Sequence, residues 1–219
     1  MKIMKKILII YLPFVLLISS CKFLYYKAPK YIKNNFGYCY SGEKTELNKL
    51  LNIYGYFQLN INSGNSSFNE NIMFFNDGMF VTGFKYLAEI NDNYKNGLTS
   101  VFYESTGWGL YKLSGDTIKV RYVKRPFYGS SSRFWYAYEV RYKIIDRNTI
   151  KQIYKIPIHK TADGDIEKFK IIGSKKIFIP VKVKPPSDGW IKGEEWFWCN
   201  KEQYKKWKQE QKLKHKHKK

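Results

Sequence analysis

From Ile53 onward, apolar and polar residues alternate along the chain with a period of two. The pattern is clearest in two stretches. Ile118, Val120 and Tyr122 fall on one side, against Thr117, Lys119 and Arg121 on the other. Phe134, Tyr136, Tyr138, Val140, Tyr142 and Ile144 do the same against Glu139, Arg141 and Lys143. Successive side chains of a strand point to opposite faces, so each stretch predicts a strand with one apolar and one wet face. Candidate strands cover 53–61, 71–76, 79–87, 99–104, 108–113, 117–124, 133–145, 149–157, 167–172 and 176–183. Asn76-Asp77-Gly78 predicts a hairpin with a type I′ turn. Ser114-Gly115-Asp116, Asp146-Arg147-Asn148 and Asp163-Gly164-Asp165 predict further tight turns. No long helical pattern separates the strands, which argues against parallel crossovers. The expected fold is all-β: an antiparallel meander closed into a barrel, or a β-sandwich.

The flanks read differently. Residues 21–42, with Pro29, Asn34, Asn35 and Gly37, predict a tether that becomes ordered as it nears a domain spanning 43–199. That domain opens with a short helix over 43–51, which places Leu47, Leu50 and Leu51 on one side. It closes with a Pro/Gly/Trp-rich return over 184–199. Residues 200–219 predict a C-terminal helix, capped by Asn200 and running over 201–213, then a basic Lys/His tail.

The first twenty residues change the picture from fold to address. Lys2, Lys5 and Lys6 precede an apolar run over 7–18 that contains Pro13. Spanning a bilayer takes roughly 20 residues, and this run is shorter. A basic start, a short apolar core and small residues before a cut describe a secretory signal peptide over 1–20. Ile18-Ser19-Ser20-Cys21 resembles the lipobox of bacterial lipoproteins. The resemblance implies cleavage before Cys21, diacylglycerol on its sulfur and acylation of the new amino end. Lys22 follows the cysteine with no acidic cluster behind it. By resemblance to known sorting rules, this implies the outer membrane, facing the periplasm.

A second resemblance lies in the strand region. Gly55-Tyr56-Phe57 opens the first strand. Gly109-Leu110-Tyr111-Lys112-Leu113-Ser114-Gly115-Asp116-Thr117-Ile118 forms a later hairpin. Together, over residues 50–160, they resemble bacterial lipocalin-like lipoproteins, with Phe57 where that family carries Trp. The resemblance implies an antiparallel barrel with a ligand-accessible mouth. It makes Tyr136, Tyr138 and Tyr142, which share one face, candidate ligand-facing aromatics.

The formal charge is +21, and loss of the three leader lysines leaves +18 on a mature chain of 199 residues. Such a surface attracts acidic lipid, lipopolysaccharide or an acidic glycan. The abundance of Lys, Asn, Ile and Tyr also follows from A/T-rich codons, so composition alone is a competing account. Export and the scarcity of Arg argue against nucleic acid. Two cysteines remain, Cys39 and Cys199, and an exported chain would place them where pairs oxidise.

Catalytic chemistry has little to work with. His159 sits beside a predicted turn, and His215 and His217 in the tail. Ser130-Ser131-Ser132 reads as connection. Asp163-Gly164-Asp165-Ile166-Glu167 is too short for a calcium loop. Adjacent Glu194 and Glu195 would oppose one another in a strand. Trp190, Trp196 and Trp198 could form a stacking platform, or could pin the C-terminal return to the barrel. The expectation is therefore a non-catalytic envelope lipoprotein without cofactor or metal, anchored through Cys21 and holding a small amphipathic or apolar ligand. The alternative is a structural or interaction lipoprotein, or one that binds acidic polymer through its basic surface.

Overall fold

The computed structural model describes residues 28–59, 71–84, 106–125, 135–158, 173–182 and 184–216. Eight antiparallel strands form a closed barrel in simple meander order. They are β1 Gly55–Leu59, β2 Asn71–Phe74, β3 Met79–Phe84, β4 Gly107–Ser114, β5 Thr117–Lys124, β6 Tyr136–Asp146, β7 Thr149–Pro157 and β8 Lys175–Pro180. Strand β1 closes the ring against β8, with Phe57 opposite Phe178. The barrel reading therefore holds over the sandwich. Candidate strands 99–104 and 167–172, and the turn at 163–165, lie outside the described residues.

The strand alternation sorts the apolar residues into two cores. Phe57, Ile72, Phe74, Phe80, Ile118, Val120, Val140 and Ile150 face the barrel interior and are fully buried. Their sequence neighbours, such as Met73, Met79, Val81, Trp108 and Val123, face outward yet are equally buried. A second layer must cover them, because a barrel surface left wet would not hold such residues.

That layer comes from both chain ends. Helix α1, Lys30–Phe36, buries Ile32 and Phe36 on the outer wall. The expected tether of 21–42 is thus packed structure from Ala28 onward. Its signal was faint because α1 offers only two buried positions in two turns. Helix α1 runs along the barrel. Near its start the Tyr31 hydroxyl donates to Trp135 O, and its last carbonyl, Phe36 O, accepts from Arg121 Nη1 at 2.8 Å. Arg121 is held in turn by Glu139 on β6, which also pairs with Arg141. Burial pushes the Glu139 carboxyl up, but hydrogen bonds from Arg141 and Arg121 and their charges outweigh it and hold the group below its ordinary range.

The C-terminal return over 184–199 forms the rest of the layer. It contains two 3₁₀ turns, Trp190–Gly193 and Glu195–Phe197. Tyr40 and Trp198 meet beside these turns in a single parallel bridge. Cys39 and Cys199 are bonded beside that bridge. Helix α3, Lys201–Lys216, follows Asn200, whose side chain accepts from Glu202 N.

The hairpin between β2 and β3 differs in detail from the expected type I′ turn. That turn needs positive φ at both central residues. Among the described residues only glycines have positive φ, and here it is Gly78. Gly78 N bonds Phe75 O, and Phe75 N bonds Met79 O. The result is a three-residue loop ending in a left-handed glycine, a type I turn with a G1 bulge.

Candidate functional site

The two ends of the barrel are unlike. At one end lie the tight turns β2–β3, β4–β5 and β6–β7, and across it sits helix α2, Leu47–Leu50. Leu47 and Leu51 are fully buried in the interior cluster and close this end. Thr45 N bonds Asn76 O and Asn52 N bonds Arg147 O, which ties the cap to two of the turns. At the opposite end, β1–β2, β3–β4, β5–β6 and β7–β8 are joined by segments 60–70, 85–105, 126–134 and 159–172, outside the described residues. We refer to this end as the mouth.

Towards the mouth the inward positions change character. Tyr122 lies over Gly107, where a β-carbon would meet its ring at 2.8 Å. Only glycine leaves space for the ring there. Tyr138 is 5.4 Å from Tyr122, and Tyr136 stacks on Tyr138 at 6.3 Å. Lys155 Nζ sits 5.2 Å from the centre of the Tyr138 ring. Lys124 is opposite Tyr136 and shares its inward phase. Deeper in the wall, Lys176 pairs with Ile150 and shares the inward phase of Phe178. Lys176 is 3 % exposed and Gln152 is 2 % exposed. Gln152 is opposite inward-facing Tyr142 and is a diagonal neighbour of Lys176 across β7 and β8. Its Nε2 is buried with no hydrogen-bond partner. Among the described residues, no Asp or Glu holds an inward position. Towards the mouth the inner wall is thus aromatic and cationic, while Lys176 and the unanswered Gln152 amide sit deeper, at the level of Ile150 and Tyr142.

The candidate ligand-facing aromatics divide accordingly. Tyr136 and Tyr138 stand at the mouth and are half-buried. Tyr142 does not: it is buried among core residues and packs edge-on against Phe74. It lies one layer too deep, beside Val140 and Ile150. Gln152, Lys155 and Lys176 were missed as candidates. Cys21 lies outside the described residues, as do His159 and His217 and Ser130-Ser131-Ser132.

A second polar cluster joins the C-terminal return to the β2–β3 turn. Asp77 Oδ2 accepts from the Tyr40 hydroxyl at 2.8 Å, Ser187 Oγ at 2.5 Å and Lys192 Nζ at 3.2 Å. Lys192 is 4 % exposed. Ser187 and Lys192 are 3.1 Å apart, the spacing of a serine nucleophile and lysine base. However, Lys192 Nζ donates to Ser187 Oγ and to Asp77 Oδ2, and Ser187 Oγ donates to Asp77 rather than to the lysine, which is not the arrangement of a nucleophile and its base. The cluster is a structural knot. Burial, then the charge and hydrogen bond of Asp77, push the Tyr40 hydroxyl well above its ordinary range.

Lys184 is part of the same return and donates to Ile53 O and Phe74 O. Burial pulls its ammonium down to about 8 from an ordinary 10.5, against a smaller opposing effect of Asp77. The folded protein therefore releases this proton before the unfolded chain does. The unfolded state binds more protons between pH 8 and 10.5, so stability rises with pH across that window. The gain is up to about 3 kcal/mol. Above pH 10 the buried hydroxyls of Tyr40 and Tyr111, both raised, oppose it. Urea midpoints should climb from pH 7 to about pH 10, and Lys184→Met should abolish the climb; parallel profiles for the two proteins would refute the assignment.

The tryptophans have partners that fix them in the return. Trp190 Nε1 donates to Thr106 O, Trp196 Nε1 to Glu194 Oε2 and Trp198 Nε1 to Lys192 O. A shallow open groove of about 420 Å³ beside the cap is lined by Asn52, Tyr54, Arg147 and Phe178 among others. Its one guanidinium is already engaged by Lys49 O and Asn48 O. Among the described residues there is no cluster of His, Cys, Asp or Glu that could hold a metal, and no helix is long and apolar enough to cross a membrane. Comparison with protein-family models, with curated proteins and with solved structures finds no match to the chain in any of the three.

Proposed function

We propose that the protein is an exported lipoprotein, anchored through Cys21, that holds a small amphipathic ligand with an acidic group in the mouth of its barrel. The observation that carries the ligand reading is the buried Gln152 amide, which has no acceptor on the inner wall at the depth of Tyr142. A buried amide donor without an acceptor costs free energy of the order of 1–3 kcal/mol. A carboxylate or phosphate oxygen would satisfy it. Tyr122, Tyr136 and Tyr138 supply an apolar wall for the rest of the molecule, with Lys155 and Lys124 above.

The chain direction supports the anchoring half of the reading. Helix α1 begins beside Trp135, at the mouth end, and the chain reaches Asp77 at the capped end by Tyr40. Six residues lie between Cys21 and Ala28, and the seven steps of chain from one to the other reach at most about 25 Å. A lipid on Cys21 would thus keep the mouth end near the membrane, where amphipathic ligands are concentrated.

One preparation tests both halves. Protein purified from an exporting host should carry, under denaturing mass spectrometry, the mass of diacylglycerol and acyl groups, absent from Cys21→Ser. Under native conditions it should carry a further mass that denaturation removes, and extraction should identify an acidic amphiphile. Gln152→Leu should weaken rebinding of that ligand at least tenfold, since a hydrogen bond to a charged group is worth about 1.5–3 kcal/mol. A bare polypeptide mass that also fails to bind long-chain fatty acid would remove the ligand reading, and a Cys21 without acyl mass would remove the anchor.

A further inference from the structure

The outer face of β6, β7 and β8, at their capped-end half, carries a row of like charges. Lys143 is opposite Lys151, and Lys151 is opposite Lys175. All three point outward, because Tyr142, Ile144, Ile150, Gln152 and Lys176 beside them point in. Adjacent strands are roughly 5 Å apart, so three ammonium-bearing chains rise side by side. Like charges directly opposite one another weaken a sheet. One carboxylate, Asp116, reaches the end of the row, 3.5 Å from Lys143. Among the described residues none pairs with Lys151 or Lys175.

Exposed isoleucines flank the same row. Ile145, Ile153 and Ile177 are 47 %, 45 % and 38 % exposed. Ile145 and Ile153 are the extra residues at the two register shifts between β6 and β7. Ile177 is opposite Thr149, diagonal to Lys151. Elsewhere α1 and the C-terminal return cover the outward apolar residues. Here a repelling row and uncovered aliphatic side chains occupy one face, and neither helps the isolated fold.

We infer that this face lies on an anionic bilayer, with the lysines among acidic headgroups and the isoleucines at the level of the acyl boundary. A soluble acidic polymer would answer the lysines and leave the isoleucines in water. A bilayer answers both, and each lysine near an acidic leaflet raises the binding constant about fivefold. The inference stands apart from the ligand in the mouth and does not require lipid on Cys21, although an anchor would raise the local concentration of membrane.

Lysine footprinting tests it. The mature protein is mixed with vesicles, an amine-acetylating reagent is added, and the rate at each lysine is read by peptide mass spectrometry. On vesicles rich in phosphatidylglycerol, Lys143, Lys151 and Lys175 should react at least about threefold more slowly than on pure phosphatidylcholine, and high salt should remove the difference. Exposed Lys49 and Lys208, on the cap and on α3, should change little. Ile153→Ser with Ile177→Ser should lose the protection. K151Q should lose it too while melting no lower than the parent, because the row repels itself. Equal rates on both vesicle types would overturn the inference, as would uniform slowing at all lysines. Protection by a soluble acidic polysaccharide but not by vesicles would assign the face to a polymer, and a K151Q protein that melts lower would make the row structural.

Discussion

Asp77→Ala is expected to lower the stability of the folded chain by about 3–5 kcal/mol, the cost of removing one partner from a buried ion pair. The loss exceeds that of one hydrogen bond because three donors converge on a single oxygen. Lys192, a buried cation, would keep only the exposed Asp188 at 3.9 Å as a charged partner, and the Tyr40 and Ser187 hydroxyls would lose their acceptor. The position matters because of what the donors belong to. Tyr40 comes from the N-terminal segment, Ser187 and Lys192 from the C-terminal return, and Asp77 from the β2–β3 turn. One carboxylate thus joins both covering segments to the barrel. Lys192→Met should cost less, because the Asp77 side chain is 21 % exposed and can turn to water. The double variant Asp77→Ala/Lys192→Met should recover part of the loss, since it leaves no unpaired charge. Denaturant unfolding of the four proteins measures the cycle. A single-variant loss under about 1 kcal/mol, or strict additivity, would mean the knot does not hold the return in place.

The barrel was legible because its inward residues keep one phase through long strands. β5 and β6 alternate cleanly, and their pairing in the structure follows that phase, with Val120 opposite Val140 and Tyr122 opposite Tyr138. The site was harder to read, and the reasons are physical. In β8, Lys176 and Phe178 point in while Ile177 and Ile179 point out, so apolar residues stand in both phases and the inward lysine carries no mark. In β7, the bulge at Ile153 shifts the phase, so that Gln152 and Lys155 share a face although they are three positions apart. A strict period of two places them on opposite faces. Tyr142 looks like its neighbours Tyr136 and Tyr138 in sequence. Depth alone distinguishes it, and depth follows from which barrel end is capped. The outward core was hidden for another reason: residues such as Trp108 and Met73 are buried by segments distant in sequence, one read as a tether and the other as a loop.

Loss of the bond between Cys39 and Cys199 should rank beside loss of the knot. The two cysteines are 160 residues apart in sequence, and the chain-entropy account gives about 5 kcal/mol for closing so long a loop. Native contacts that survive without the bond reduce the visible effect. Tyr40 N still donates to Phe197 O, and Cys199 N to Tyr40 O. A net loss of about 3 kcal/mol is therefore expected for Cys39→Ser/Cys199→Ser, which for a chain of this size lowers the melting temperature by roughly 10 °C. Both cysteines are exposed, so a mild reductant should reach the bond in the folded protein and reproduce the melting temperature of the double variant. The order of events also follows from the structure. The bond lies in the covering layer, outside the barrel ring, so reduction should first free the return and α3, exposing Phe197 and the Tyr40 ring that stacks on it at 5.8 Å. Tryptophan fluorescence, for which Trp190, Trp196 and Trp198 in the return supply half of the six tryptophans, should shift at lower denaturant than the far-ultraviolet signal of the strands. Coincident transitions in the reduced protein would show that barrel and covering layer stand or fall as one unit. An unchanged melting temperature after both thiols are alkylated would show that the closing contacts suffice without the bond. The expected result carries a consequence for address: a chain that gains this much from an exposed, reducible bond reaches full stability only in an oxidising compartment, which is where cleavage before Cys21 would deliver it.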